Sequence, residues 1–361
     1  MGKLRINIGL LAVSATLLTG CMGIETQVVD ELQLATAAGF KHIKDDEIEA
    51  TISFPVFLTD KTVKNATLTA TDTLNKELRD RQNLKSEKPI VSGKLEVILF
   101  DRQLAERGFF DHLDSLMRDP SIGSKVFVVV LDDDPKDVLS KQYGNKDTGI
   151  YLSNIIQQNI ETGLIPKTNL HLFTYNYYAE GKDPAIPIMA QSKDGVGIRA
   201  LGLFKHDKLV HQIEKDELFF YKVLFDSNSS GETMAIKFNE DKKASIINVE
   251  STRKYEVLQP MSNAEIKIKV KAKMMIREYN NGLLNKDKMK EMENFIKKRF
   301  EEKSAELIQQ FQQKGTDPLG IGEQVRTRTR NWDKKKWDEL YPNIPITVQA
   351  EIEMIESGLI N

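Results

Sequence analysis

Residues 264–276 read AEIKIKVKAKMMI, and their alternation decides the fold class. Ile266, Ile268, Val270, Ala272 and Met274 take every second position, with Glu265, Lys267, Lys269, Lys271 and Lys273 between them. Successive side chains of a strand point to opposite faces, so this run predicts a half-buried strand whose outer face is almost all lysine. A second run alternates Ile346, Val348, Ala350, Ile352 and Met354 against Thr347, Gln349, Glu351 and Glu353, which gives an acidic outer face. Opposite charges across a sheet contribute roughly 0.2–1 kcal/mol per pair, so the two runs are expected as neighbours.

Between them the period changes. Asn285 is placed to cap a helix whose stripe is Met289, Met292, Ile296, Phe300, Leu307 and Phe311, halted near Gly315. At about 1.5 Å per residue it would run roughly 45 Å, packed over the sheet. Upstream, Leu32–Ile43 and Ile48–Phe57 read as a hairpin around Lys44–Glu47, and Lys61–Gln82 as a helix carrying Val63, Ala70, Leu74 and Leu78. Lys94–Phe100 reads as a strand, Arg102–Met117 as a helix, Lys125–Leu131 as a buried strand and Ser153–Thr162 as a helix stopped by Gly163. Ile198–Phe204 and Lys208–Ile213 form a second hairpin around His206-Asp207, followed by a helix over Asp216–Leu224 and a loop over Asp226–Gly231. The expected class is α+β (mixed α/β), in two to three lobes, each a mostly antiparallel or mixed sheet packed by helices, with one long helix in the C-terminal region. The polar stretch Gln191–Gly197 is the expected boundary between an N-terminal domain, 21–192, and a C-terminal domain, 198–361.

The start of the chain is an address. Lys3 and Arg5 precede an apolar stretch from Ile6 to Leu18, too short to span a bilayer as a helix, and Thr19-Gly20 then leads into Cys21. Leu18-Thr19-Gly20-Cys21 resembles the bacterial lipobox, so residues 1–20 are expected to be cleaved after Gly20, and Cys21 to carry diacylglycerol on sulfur and an acyl group on nitrogen. Cys21 is the single cysteine of 361 residues, which excludes disulfides, CxxC redox pairs and Cys-ligated zinc or iron–sulfur sites. The mature body would be tethered on the far side of the cytoplasmic membrane. With 51 basic against 53 acidic residues, nothing in the overall charge favours nucleic acid.

Catalytic grammar is sparse. GxSxG, HExxH, P-loop and EF-hand patterns are absent, and no cofactor is expected. The histidines are His42, His112, His171, His206 and His211; the last two could face one another on a hairpin and hold a metal, although no acid completes a zinc spacing. Asp132-Asp133-Asp134-Pro135 could ligate a divalent cation, but a turn with Asp134 as cap and Pro135 in the first helical turn accounts for it more simply. Gly195-Val196-Gly197-Ile198-Arg199-Ala200 matches GxGxxA yet precedes a strand-like run rather than a helix. Lys267–Lys273 and Arg326, Arg328 and Arg330 could meet anionic headgroups or form a solvated, acid-paired face. Trp332 and Trp337 suit docking of a short helix on the sheet, with sugar stacking as the alternative.

Several of these segments together resemble a known family. The lipobox Cys21, the segment Gly197–Leu224 containing Ala200–Val210, and the C-terminal run Gln313–Gly322, Trp332–Trp337 and Gly358 are similar to the Ger(x)C family, the lipoprotein C subunits of bacterial spore nutrient germinant receptors. The likeness spans almost the whole chain. It departs directly after Cys21, where the family commonly has tryptophan and this chain has Met22-Gly23-Ile24-Glu25. The resemblance implies a non-enzymatic lipoprotein anchored on the outer face of the spore inner membrane. Its partners there would be two integral-membrane subunits, A and B, in nutrient-triggered germination. It supplies no catalytic residue and no ligand site. Two alternatives stay open at this level: an extracytoplasmic solute-binding lipoprotein, and a cell-wall hydrolase.

Overall fold

The computed structural model describes residues 28–238, 243–258, 264–280 and 285–355; the leader, Cys21 and Gly358 lie outside them. The first hairpin forms as the polar turn requires: β1 (Ala37–Lys44) and β2 (Glu47–Phe57) pair antiparallel around Asp45, whose φ is 48°. The expected Lys61–Gln82 helix is corrected. Val63–Asp72 is strand β3, antiparallel to β2, and only Asn75–Asn83 is helical (α1). Thr67, Thr69 and Thr71 are β-branched and alternate with Ala66, Leu68 and Ala70, so period 2 holds here and the apparent period-3.6 set straddled a strand and a helix. After β4 (Val97–Asp101) the expected single helix is two, α2 (Arg102–Arg107) and α3 (Phe110–Met117). They break at Gly108, φ 108°, where the Asp207 carboxylate lies 2.7 Å from the position of an added Cβ and accepts the Phe110 amide at 3.0 Å.

Strand β5 (Phe127–Leu131) leads into α4 (Pro135–Ser140), α5 (Thr148–Glu161) and α6 (Leu170–Tyr178). Asp134 caps α4 by accepting the Lys136 amide, with Pro135 in the first turn. Then come β6 (Ala185–Ser192), β7 (Gly195–Lys205) and β8 (Lys208–Glu214). The eight strands form one sheet in the order β8-β7-β6-β5-β4-β1-β2-β3, with β6, β5, β4 and β1 parallel and an antiparallel pair added at each side. The expected boundary Gln191–Gly197 spans the β6–β7 turn at Lys193-Asp194 and the paired strand ends beside it, and the sheet continues to Glu214. The central strands are apolar on both faces because helices cover both. Val97, Leu99, Val129 and Leu131 face α4 and α5, whereas Ile98, Phe100, Val128 and Val130 face the cluster of α2, α3 and α6.

The first of these cores does not stop at the sheet. It continues through α7 (Leu218–Phe225) into a second sheet built from β9 (Thr233–Lys237), β10 (Lys243–Leu258), β11 (Glu265–Tyr279) and, beyond the long helix, β12 (Ile346–Ile355). Asn285 caps that helix, α8 (Lys286–Lys314), by accepting the Lys288 amide, and Gly315 ends it in the left-handed region. Its stripe of Met292, Ile296, Phe300, Leu307 and Phe311 is buried. The two alternating runs are neighbours: β12 lies parallel beside β11, with Lys271 opposite Glu351 and Lys273 opposite Glu353. Two carboxylates of α8 finish the edge of β12, Glu301 accepting the Ala350 amide at 2.9 Å and Glu293 accepting the Met354 amide at 3.4 Å. Otherwise unpaired edge amides are thereby occupied.

One buried ionic cluster fixes α7 to this sheet. Lys222 contacts Asp226, which sits at the C-cap of α7, and lies 3.2 Å from Glu232, which is 1% exposed and also accepts from Ser229 and from Asn248 at 2.7 Å. Lys222→Met should destabilise the fold by about 3–5 kcal/mol, because it strands the Glu232 carboxylate away from water without its cation. Urea unfolding measures this; a loss under about 1 kcal/mol would show that Ser229 and Asn248 suffice.

Candidate functional site: the seam between the two sheets

The two stretches that carry most of the family likeness, Ala200–Val210 and Gln313–Gly322, lie far apart in sequence and meet in the fold. The Thr316 hydroxyl donates to the Phe204 carbonyl at 2.6 Å. The Asp317 amide donates to the Asp183 carboxylate at 2.7 Å, the Asp183 amide donates to the Asp317 carbonyl at 2.9 Å, and the Lys205 ammonium sits 3.2 Å from the same Asp183 oxygen. Asp317 turns its own carboxylate onto the start of α9 (Ile321–Arg326), accepting the Ile321 amide at 3.0 Å and the Gly322 amide at 2.6 Å.

Around this pair the backbones touch. A Cβ added to Gly181 would lie 2.4 Å from the Glu323 nitrogen and from the Gly322 carbonyl carbon, and the Glu323 amide donates to the Gly181 carbonyl at 2.9 Å. Gly322 is as closely confined, for an added Cβ there would meet the indole nitrogen of Trp337 at 2.7 Å and the Gly181 Cα at 2.8 Å. Trp337 is the buried residue of α10 (Lys334–Leu340), packed at a tilt against both Trp332 and Tyr341, and the Tyr341 hydroxyl closes the ring by donating to the Thr316 carbonyl at 3.0 Å. The tryptophans thus dock a short helix, as expected. Lys182 adds its cation over the Phe225 ring, 4.5 Å from the centroid.

The electrostatics are those of an acid pair in a dry place. Burial pushes the Asp317 carboxyl up to about 7, against the Gly322 and Ile321 amides that pull it down, and the nearby Asp183 carboxylate adds to the rise. Burial likewise holds the Lys182 ammonium below its ordinary value. Folded, Asp317 keeps a proton up to about pH 7; unfolded, it releases it near 4. Between roughly pH 4 and pH 7 the folded state binds the extra proton, so this group's contribution to stability is lost as pH rises through that window. Asp317→Asn should flatten that part of the stability profile. The slope of the denaturation midpoint between pH 5 and pH 7 is the readout, and an unchanged slope would place the titration elsewhere.

The remaining sequence candidates resolve into structural roles. Asp132 pairs with Arg102 at 2.6 Å and Arg199 at 2.5 Å, and Asp133 accepts the Gln191 amide at 2.6 Å. Asp134 caps α4 and pairs with Lys41. His206 occupies the β7–β8 turn with φ 56°, while His211 lies opposite Leu203 and bonds to Gln310 at 3.1 Å, so the two do not converge. Among the described residues no group of three or more His, Cys, Asp or Glu is placed to hold a metal ion. Gly195–Ala200 lies within strand β7, without the helix a dinucleotide site needs. Each lysine from 267 to 273 has an acid: Lys267 with Glu265, Lys269 with Glu256, Lys271 with Glu351 and Lys273 with Glu250. Only one of those acids comes from β12. Arg326 pairs with Glu323, and Arg328 donates to the Gln324 carbonyl at 2.7 Å. No described helix is long and apolar enough to cross a membrane. Sequence reasoning missed Asp183, Lys182 and Gly181; the one local hint was the turn-like Gly181-Lys182-Asp183-Pro184.

Residues 25–191 match the spore germination protein N-terminal domain and residues 200–358 match the spore germination B3/GerAC-like C-terminal domain. The division between the two falls at the β6–β7 turn, inside the first sheet. The spore germination protein GerQC of Bacillus cereus is 27% identical over 357 residues, covering 97% of this chain and 98% of that protein. A crystal structure of the GerBC protein shares the fold, with a TM-score of 0.57 at 18% identity over 90% of this chain and 99% of the other. The two domain matches in tandem lead to one assignment: the chain belongs to the GerAC-like family of spore germination proteins, the C-type subunits of germinant receptors.

Proposed function

We propose that this chain is a lipoprotein subunit of a spore germinant receptor, held on the outer face of the spore inner membrane through Cys21 after cleavage behind Gly20. It acts there without chemistry of its own, beside two integral-membrane subunits, A and B, in nutrient-triggered germination. The observation that carries this is the lipobox Leu18–Cys21, with the single cysteine at its end and the family domain beginning at residue 25. Val28, where the description of the body begins, lies seven residues after Cys21 in the sequence. Fully extended, that stretch reaches at most about 25 Å, so a lipid on Cys21 would keep the first sheet close to the bilayer.

Mass spectrometry of the mature N-terminal peptide from spore membranes tests the reading. A diacylglyceryl and N-acyl group on Cys21 is expected, and an unmodified thiol behind an intact leader would overturn it. Photo-crosslinking from single sites on the exposed lysine face of β11 should then capture an integral-membrane subunit if that face meets the partners.

A further inference from the structure

The first sheet carries an overhang at the end where the chain enters it. Thr36, the residue before β1, donates its amide to the Ser53 carbonyl at 2.9 Å and its hydroxyl to the Asp147 carboxylate at 2.9 Å. Ala37 lies opposite Ser53, yet β2 runs on through Phe54, Pro55, Val56 and Phe57, in register with β3 alone. At about 3.3 Å per residue, the β2–β3 hairpin stands roughly 13 Å beyond the first residue of β1.

Its tip is apolar where a turn is ordinarily polar. Phe57 is 76% exposed, more than any other described phenylalanine, and Val56, on the opposite face of the strand, is 38% exposed. The turn that presents them is firmly built. The Leu58 amide donates to the Thr62 carbonyl at 2.9 Å, the Lys61 amide donates to the Leu58 carbonyl at 3.0 Å, and Asp60 accepts the Thr62 amide at 2.9 Å and hydroxyl at 2.6 Å.

Lysines surround the tip. Lys61 and Lys64 belong to the hairpin itself. The loop 141–146 is fastened to its flank, Asn145 accepting the Val63 amide at 2.7 Å and Gln142 the Asn65 amide at 2.8 Å, and it brings Lys141 and Lys146. Lys193, in the β6–β7 turn, lines one surface depression with that loop. Among the described residues none of these five lysines forms an ion pair, Lys141 donating instead to the Gln191 side chain. Asp60, Asp194 and, one helical turn before Lys141, Asp137 are the exposed acids of these segments, so five lysines stand against three carboxylates and the surface stays positive. Asp147 is buried, spent on Thr36 and on the Ile150 amide. The contrast is with β11, where every lysine of the row has its acid.

We propose that the β2–β3 tip is a second membrane contact: Phe57 and Val56 enter the interface of an anionic bilayer while Lys61, Lys64, Lys141, Lys146 and Lys193 meet its headgroups. Three observations name the occupant together: an aromatic ring that the body leaves uncovered, cations that no acid of the body closes upon, and a position at the end where the chain comes in from Cys21. A contact this small orients a body that something else holds, so the proposal rests on the tether proposed above. It sets the first sheet with Asp101 and Leu131, the last residues of β4 and β5, directed away from the membrane.

The test is fluorescence of the full chain reconstituted in phosphatidylcholine vesicles containing about 30% phosphatidylglycerol, with and without bromine on the acyl chains. The native Trp332 and Trp337 pack at the seam and serve as the internal reference. Phe57→Trp should add emission that brominated lipid quenches at least about twofold, with the native signal unchanged; omitting phosphatidylglycerol, or adding Lys61→Glu and Lys64→Glu, should remove at least about half of that quenching. An added indole left unquenched on vesicle-bound chain would overturn the proposal, and so would quenching indifferent to both charge manipulations or stronger quenching of the native tryptophans. The apolar leader, if uncleaved, holds the chain to vesicles as the lipid does, and flotation reports attachment separately. Failure of the tether at Cys21 and failure of the tip are therefore told apart.

Discussion

Replacing Cys21 by Ala should shift the protein from the spore membrane fraction to the soluble fraction almost completely. Each buried methylene of an acyl chain contributes about 0.8 kcal/mol, a single chain anchors only marginally, and two or more hold firmly. A diacylglyceryl cysteine therefore carries far more partition energy than any other membrane contact legible in this chain. The described helices supply no span, and the lysine row of β11 is matched by Glu265, Glu256, Glu351 and Glu250, which cancels most of its attraction for anionic headgroups. Fractionation with immunoblotting measures the shift, and the nutrient response of the same spores should fall with it. Retention of the variant at the membrane with an unchanged response would show that partners, not lipid, do the holding.

The second large effect is expected at Gly181. Its backbone is not in the left-handed region, so alanine is conformationally acceptable there and the conflict is purely steric. The added methyl has to occupy space 2.4 Å from main-chain atoms of Gly322 and Glu323, and main chain, unlike the tip of a side chain, cannot swing aside. Relief requires the seam to part, and that lengthens the Glu323–Gly181 bond and the paired amide contacts of Asp183 and Asp317. Overpacking alone costs about 1–3 kcal/mol, and the loss of buried hydrogen bonds adds to it, so Gly181→Ala should cost at least about 3 kcal/mol by urea unfolding. Gly197→Ala is the control, since an added Cβ there meets nothing within 4 Å. Equal stability of the two variants would mean that the sheets are not held together through this contact.

What could be read in advance follows from where each signal is local. The alternation in β11 and β12 and the caps at Asn285, Gly315 and Asp134 are properties of adjacent residues, and the structure places each where the pattern put it. The lysine face was legible but its partners were not, because β10 supplies Glu250 and Glu256 and went undetected: two register shifts interrupt its pairing with β11 and blur its alternation. Strand β3 was misread because alanine and threonine suit either period and only the pairing with β2 decides between them. The break at Gly108 depends on Asp207, a contact between residues brought together only by the sheet. The seam is the extreme case. Asp183 and Asp317 are 134 residues apart, and neither carries a spacing that announces the other. The proposed anchor, by contrast, rests on a purely local signal, four residues ending in a lone cysteine.

The parallel placement of β12 beside β11 constrains the order in which the molecule can be completed. Antiparallel neighbours joined by a tight turn can zip together as soon as they are made, whereas a parallel neighbour must wait for a crossover to be built first. Here the crossover is α8 with the seam segment and α10, so β11 keeps an unsatisfied side until residues 346–355 have been made. As the chain is synthesised the first sheet has all its strands by Glu214, while the second stays open to chaperones and proteases, and a polypeptide interrupted anywhere after α8 would be recognisable as unfinished.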